Sequence, residues 1–189
     1  MVDKGVFAKR LLEFASSSLI LDMALAQAQS RKLKNWWIVG GAVRDAVWCL
    51  IEGRDQASLI QDIDLLYFDS SDLSEEKDGD IEASLKPIEG IPWSVKNQAR
   101  MHIKSNDAPY SSLQEALYCA PDTISTVCVT RSENCRWIIG SSFGYEDILT
   151  KVFRPTPHFL SKHIFEDYVS RVRRKGWLDR WPSARIVPW

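Results

Sequence analysis

The feature that most constrains the fold is the stretch from Trp36 to Val47, which is WWIVGGAVRDAV. Its first part, Trp36 to Val39, is aromatic and β-branched, which predicts a short buried strand. Two glycines follow, and the apolar spacing from Ala42 to Glu52 predicts a helix. A glycine pair between a strand and a helix either turns the chain or brings bare backbone against a ligand.

A second stretch lies about twenty residues further on and is QDIDLLYFD. Its apolar run, Ile63 to Phe68, predicts a strand in the interior of a sheet. Asp62 and Asp64 stand at the head of this run, and residues two apart on a strand point to the same face, with Cα atoms about 6.5 Å apart. Two such carboxylates can converge on one Mg²⁺ or bridge two ions, which also offsets the cost of placing acids at a buried strand.

The two stretches together indicate one kind of chemistry. Bare backbone at Gly40 and Gly41, followed by a helix N-terminus, is suited to phosphate oxygens. Arg44, in the first turn of that helix, can add a charge-assisted contact, and Asp45 can cap the helix or hold Arg44. Metal ligands on one strand and a phosphate site after another favour transfer of a nucleotidyl group from a nucleoside triphosphate to a hydroxyl.

The rest of the chain predicts an alternation of helices and short strands. A helix is expected from Val6 to Gln29, weakened at the serines Ser16 to Ser18. The acid-rich segment Asp69 to Glu82 predicts a solvated loop running into a helix. The remaining expected elements are a strand at Ile91 to Val95, helices at Ser111 to Tyr118 and Phe143 to Val152, and a hairpin of Thr126 to Thr130 with Arg136 to Ile139.

Composition sets limits on the class of protein. The 189 residues are 45% hydrophobic with a formal net charge of -1, which is ordinary for a folded domain and gives no global attraction to nucleic acid or membrane. The four cysteines have no C-x-x-C spacing and are interpreted as buried free thiols in a reducing compartment. No apolar run reaches membrane-spanning length and no signal peptide is evident, so we expect no membrane partner and a cytoplasmic location.

The C-terminal tail differs in composition, because tryptophans, prolines and basic residues concentrate after Arg154. Two interpretations stay open: the tail stacks on and neutralises a nucleic acid, or its tryptophans pack back onto the domain while the arginines reach water. We favour the second. His158 and His163 are interpreted as surface or packing residues.

The chain resembles the nucleotidyltransferase superfamily with the polymerase-beta-like fold, on VGGAVRD followed by DIDLLYFD. It is most similar to a branch of small bacterial-type nucleotidyltransferase-like proteins. Further segments that carry this likeness are WSVKNQARMH from Trp93, APYSSLQEAL from Ala108, GYEDILTKVFRPTP from Gly144 and the tryptophan-rich ending from Trp177.

The resemblance implies an α+β fold, with a mixed β-sheet flanked by helices. It divides the chain into an N-terminal helical extension, residues 1–34, and a nucleotidyltransferase-like domain, residues 35–189. It implies that Gly40 and Gly41 hold the triphosphate and that Asp62 and Asp64 are the catalytic metal ligands for Mg²⁺ in a two-metal site. The expected nucleotide-binding residues are Gly40, Gly41, Arg44, Lys96, Asn97 and Arg100.

One departure from the superfamily pattern leaves alternatives open. A third acid is usual on a later strand, yet the segment Ile91 to Lys104 contains no Asp or Glu, and Ser94 stands where an acid would serve. The leading interpretation is a metal-dependent nucleotidyltransferase with an unknown hydroxyl acceptor, whether small molecule, protein or RNA. The alternatives are a weak or inactive nucleotide-binding protein of the same fold and, ranked lowest, a tRNA 3′-end nucleotidyltransferase.

Overall fold

A computed structural model describes residues 4–189, apart from the side chain of Lys4. The helices are α1 (Lys4–Ser16), α2 (Leu19–Ser30), α3 (Gly41–Glu52), α4 (Glu75–Ser84), α5 (His102–Ser105), α6 (Leu113–Tyr118), α7 (Glu146–Leu149), α8 (Pro157–Leu160), α9 (Phe165–Arg174) and α10 (Trp177–Arg180). The strands are β1 (Trp37–Val39), β2 (Ile63–Tyr67), β3 (Trp93–Asn97), β4 (Cys128–Arg131), β5 (Trp137–Gly140), β6 (Val152–Phe153) and β7 (Arg185–Ile186).

The main sheet has five strands in the order β3-β2-β1-β4-β5, and β6 pairs with β7 in a smaller sheet. In the main sheet β2 and β3 run parallel, whereas the other neighbours are antiparallel. The mixed sheet with flanking helices confirms the α+β class. Because β2 lies between β1 and β3, its interior position is confirmed, and β4 with β5 forms the predicted hairpin.

The long N-terminal helix was a wrong prediction, because the chain forms two helices there that meet at an angle of 85°. Ser17 donates its hydroxyl to the carbonyl of Glu13 at 2.8 Å, and Ser18 caps α2 by accepting the amide of Leu21. Serine side chains compete with the backbone in this way, so they end one helix and begin the next. Among the described residues no single helix is long and apolar enough to cross a membrane, although α1 and α2 as a bent pair pass that test.

The two N-terminal helices share the core with the sheet. Leu11, Leu21 and Leu25 are fully buried in the same hydrophobic cluster as Ile38 and Leu65. The division at residues 34 and 35 therefore stays a prediction, and these helices contribute to the packing behind the sheet.

Two other expectations change in detail. The helix expected from Phe143 to Val152 is only the single turn α7, after which β6 begins. All four cysteines are free, but only Cys49 and Cys128 are buried as expected. Cys119 is half-buried, and Cys135 is exposed in the hairpin turn at a φ of 57°.

Candidate active site

The glycine pair opens α3 beside the β2 carboxylates. Gly40 has φ 62° and ψ −122°, a backbone conformation that side chains disfavour, and a Cβ atom there would stand 3.9 Å from Asp64 Oδ2. Apart from its chain neighbours and the backbone of α3, no atom lies within 4 Å of the place where a Cβ of Gly41 would stand. The N-terminus of α3 thus faces open space next to a carboxylate.

Asp62 and Asp64 meet at this point. Asp62 is exposed just before β2 begins, and Asp64 is half-buried on β2, opposite Val39 of β1. Burial raises the pKa of the Asp64 carboxyl to about 6, and repulsion from Asp62 adds to the shift. A cation close to these two carboxylates would favour the charged form of Asp64.

Ser94 lies next to Asp64 on the neighbouring strand. The parallel register of β2 and β3 places the two residues side by side, and a hydrogen bond from Ser94 offsets part of the rise in the Asp64 pKa. Ser94, which stands where the superfamily pattern has an acid, is therefore directly beside Asp64.

Arg44 is fixed on the first turn of α3 by Asp45 and by aromatic rings. Its Nε donates to Asp45 Oδ1 at 2.7 Å and its Nη2 donates to Asp45 Oδ2 at 3.0 Å. The guanidinium lies 4.9 Å from the ring of Trp177, a cation–π contact. Asp45 also accepts the indole N–H of Trp181 at 2.9 Å and a guanidinium N–H of Arg180 at 3.3 Å. The sequence left open whether Asp45 caps the helix or holds Arg44, and in the structure it holds Arg44.

These elements line one cleft of about 430 Å³. Its acidic wall carries Asp62 and Asp64, and the glycine pair and Arg44 lie on the same lining. The basic residues that complete it are Lys104, Arg171, Lys175 and Arg180. Lys175 is close enough to lower the pKa of Asp64 against the other effects. Negative and positive side chains therefore line the same cleft.

Three of these basic residues come from the tail and were missed by the sequence analysis. The interpretation that the tail packs back is confirmed for Trp177 and Trp181, which are buried, whereas Trp189 is 59% exposed. What was missed is that this packing carries Arg171, Lys175 and Arg180 into the cleft. The surplus of basic residues in the tail was visible in the sequence. Nothing in the sequence indicates that these residues lie near Asp62 and Asp64. The Nε of Arg171 is buried without a hydrogen-bond partner among the described residues.

The WSVKNQAR segment divides between the cleft side and the protein interior. Lys96 shares a face of β3 with Ser94, and its charge lowers the pKa of Asp64. Asn97 is fully buried. Its side-chain amide makes four hydrogen bonds, all with backbone groups of Asp69, Asp72 and Ala99. This uses its full capacity. Arg100 is buried against Asp78 of α4. Contrary to the prediction, neither side chain lines the cleft: Asn97 supports the loop after β2, and Arg100 pairs with α4.

A larger cavity, of about 550 Å³, lies next to the cleft. Both are lined by residues of helix α6, and they share Leu117. Its lining includes Trp37, Phe68 and Tyr145 but contains no charged side chain. It offers nothing to neutralise phosphate groups, so the smaller, charged cleft is the candidate site.

A strand–glycine–helix turn beside a carboxylate pair is suited to phosphate groups and metal ions, which is the chemistry of nucleotidyl transfer. The chain belongs to the nucleotidyltransferase family, whose family model matches residues 26–186. A comparison with curated proteins finds no significant match.

Solved structures agree with this membership. The chain is similar to a structure described as revealing a CCA-adding enzyme head domain, at 29% identity and a TM-score of 0.80, with 95% of each chain covered. Two structures of tRNA-processing enzyme share the fold, at 19% and 20% identity with TM-scores of 0.52 and 0.53. In these two matches 86% of this chain is covered, but it spans only 44% and 42% of the other chains.

Proposed function

We propose that the protein is a metal-dependent nucleotidyltransferase that moves a nucleotidyl group from a nucleoside triphosphate to a hydroxyl acceptor. The observation that carries the proposal is the cleft that Asp62 and Asp64 line together with basic side chains and the N-terminus of α3. Family membership supports the reaction class, and the charges of the cleft support the substrate.

The carboxylate pair suits divalent magnesium. Asp62 and Asp64 supply hard oxygen donors from one end of β2, and burial together with the charge of Asp62 raises the pKa of Asp64, a shift that a bound cation would oppose. Oxygen donors of this kind, shared with substrate phosphates, are the usual ligands of Mg²⁺ in proteins. Bound there, Mg²⁺ would supply Lewis-acid stabilisation of charge on the phosphates.

The remaining residues bind and orient the triphosphate. The open backbone at Gly41 gives phosphate oxygens access to the N–H groups of the first turn of α3. Arg44 is held in place by Asp45, which lowers the entropy lost when its guanidinium meets an anion. Arg171 and Lys175 add positive charge from the tail, and Lys96 adds it from β3. Together they hold the α-phosphate near Asp62 and Asp64, where the acceptor hydroxyl attacks and pyrophosphate leaves.

The acceptor class stays open among small molecule, protein and RNA. The likeness to a CCA-adding enzyme head domain supports RNA as one of these classes. A reducing, cytoplasmic setting is proposed from the four free thiols.

A second candidate function is nucleotide binding with little or no turnover. Ser94, beside Asp64 in register, is the observation that favours it, because a hydroxyl is a weaker metal ligand than a carboxylate. This alternative predicts binding of the magnesium–nucleotide complex without pyrophosphate release.

Pyrophosphate release from each of the four nucleoside triphosphates, with Mg²⁺ and a panel of hydroxyl acceptors that includes RNA, tests the proposal. The variants are Asp62→Asn and Asp64→Asn, and the control is Asp80→Asn on the exposed face of α4. We expect turnover in the wild type and in Asp80→Asn, and its loss in both cleft variants. Turnover that persists in Asp62→Asn and Asp64→Asn would contradict the mechanism.

A further inference from the structure

We propose that Asp107, Cys119 and His158 form a zinc site separate from the carboxylate pair. They come from three segments: the loop after α5, the residue that ends α6, and the first turn of α8. One ligand atom of each, a carboxylate oxygen, a thiol sulfur and an imidazole nitrogen, lies within 4.8 Å of the other two. His158 Nε2 is 3.0 Å from Asp107 Oδ1.

The donor set selects the metal. Magnesium and calcium prefer oxygen ligands alone, whereas a mixture of sulfur, nitrogen and oxygen suits zinc. Around a tetrahedral zinc with bonds of about 2.0–2.3 Å, neighbouring donor atoms stand roughly 3.3–3.6 Å apart. Side-chain adjustments of about 1 Å would therefore bring all three donors onto one ion, with water in the fourth position.

The surroundings support one of the ligands. The side chain of Asp107 is only 7% exposed, and its second oxygen, Oδ2, accepts the hydroxyl hydrogen of Tyr110 at 2.5 Å. A hydrogen bond to the free oxygen of a ligating carboxylate orients it toward the metal. Cys119 and His158 are half-buried, so an ion can reach the cluster from solvent.

Lys162 is the competing cation at this cluster. Its ammonium contacts Asp107 Oδ1 and also donates to the carbonyl oxygens of Ser105 and Asn106, at 3.1 and 3.2 Å. An arriving zinc ion would displace it from the carboxylate while the two carbonyl contacts remain. The thiol of Cys119 would release its proton to solvent as the zinc–sulfur bond forms.

Zinc at this place would tie together three segments at the edge of the cleft. Cys119 and Tyr110 line the cleft that also holds Asp62 and Asp64. The zinc site does not depend on the proposed transfer reaction, because none of its three ligands is assigned to the triphosphate.

Cobalt titration of the metal-free full-length protein tests the site, because a thiolate ligand gives Co²⁺ a charge-transfer absorption. We expect this band at one equivalent, and calorimetry should show one zinc ion bound. Cys119→Ser should abolish the band, and His158→Gln should weaken zinc binding at least tenfold. Cys135→Ser and His163→Gln are the matched controls and should behave as the wild type.

Two further variants sharpen the result. Lys162→Met removes the competing ammonium and should tighten zinc binding, whereas a purely structural ion pair would only lose stability. The double variant Asp62→Asn, Asp64→Asn should keep the cobalt band, which separates this site from the transfer reaction. A missing band, or a band that survives Cys119→Ser, would overturn the zinc site and leave the nucleotide site unaffected.

Discussion

At the scale of single residues, the pKa of Asp64 shows how burial and a neighbouring charge act on the cleft. The folded-state pKa of about 6 lies above the ordinary 3.8, because burial and Asp62 both oppose ionisation. A carboxyl whose pKa is raised by folding destabilises the protein when it is charged, and this cost appears as pH rises from about 4 to above 6.

The first prediction concerns stability without metal. Asp64→Asn should stabilise the magnesium-free protein at pH 8 by about 2 kcal/mol, because one pKa unit corresponds to about 1.4 kcal/mol and partial exposure reduces the full value. Thermal unfolding at pH 8 and pH 4 measures it, with Asp80→Asn as the control. The gain should disappear at pH 4, where Asp64 is protonated. Equal stabilisation at both pH values would show that charge is not its cause.

The second prediction concerns the position beside Asp64. Ser94→Asp would place a third carboxylate in register with Asp64, so we expect turnover to rise at least about tenfold. Ser94→Asn, which adds similar volume without the charge, is the matched control and should not increase the rate. If Ser94→Asp is no faster than Ser94→Asn in pyrophosphate release, the missing acid does not limit the reaction.

At the scale of elements, the turn from β1 into α3 places the glycine pair at the cleft. Gly40 takes a conformation that only glycine adopts readily, and its amide donates to the carbonyl of Val127 at 3.3 Å. Gly41 is already helical, with open space where a side chain would stand. The two glycines therefore have different roles, which the sequence alone did not separate.

The third prediction uses this difference. Gly40→Ala should destabilise the protein by about 1–3 kcal/mol, because it forces alanine into a strained conformation. Gly41→Ala should leave stability unchanged or slightly higher, because alanine favours the helix. Urea unfolding of the two variants compares them, and equal losses would mean that the backbone at Gly40 is not strained by a side chain.

Local patterns predicted the elements around the site better than they predicted the breaks between elements. The strand, glycine pair, helix and second strand were all predicted, because alternating and helical apolar spacing acts over a few residues. The break between α1 and α2 was not predicted, although the serines weakened the helical pattern there. Ser17 and Ser18 form the break through side-chain hydrogen bonds, which apolar spacing does not predict. The interior position of Asn97 was not predicted either, because a buried amide and a ligand-binding amide look alike in sequence.

At the scale of the whole molecule, the C-terminal tail completes the cleft from a distance in the chain. Trp181 is fully buried, packs edge-on against Trp48 at 5.2 Å between ring centroids, and donates to Asp45. Arg171 and Lys175 are more than 100 residues away from Asp64 in sequence. A local sequence pattern does not show that residues so far apart lie close together. The position of these basic residues in the cleft therefore emerged only from the structure.

The fourth prediction tests this role of the tail. Trp181→Ala should cost about 3–5 kcal/mol and lower Tm on the order of 10 °C, because it leaves a large cavity and removes one of the hydrogen bonds to Asp45. Trp189→Ala, at an exposed position, is the matched control and should change Tm little. Similar losses in the two variants would show that the tail does not anchor the site through Trp181.

The most direct test of the central claim is calorimetric binding of each nucleoside triphosphate to the wild type and to the Asp62→Asn, Asp64→Asn double variant, with and without Mg²⁺. We predict binding to the wild type that requires Mg²⁺, and at least tenfold weaker binding to the double variant. Binding that is equal in the two proteins, or that does not depend on Mg²⁺, would contradict the assignment of the carboxylate pair as the metal site for the triphosphate.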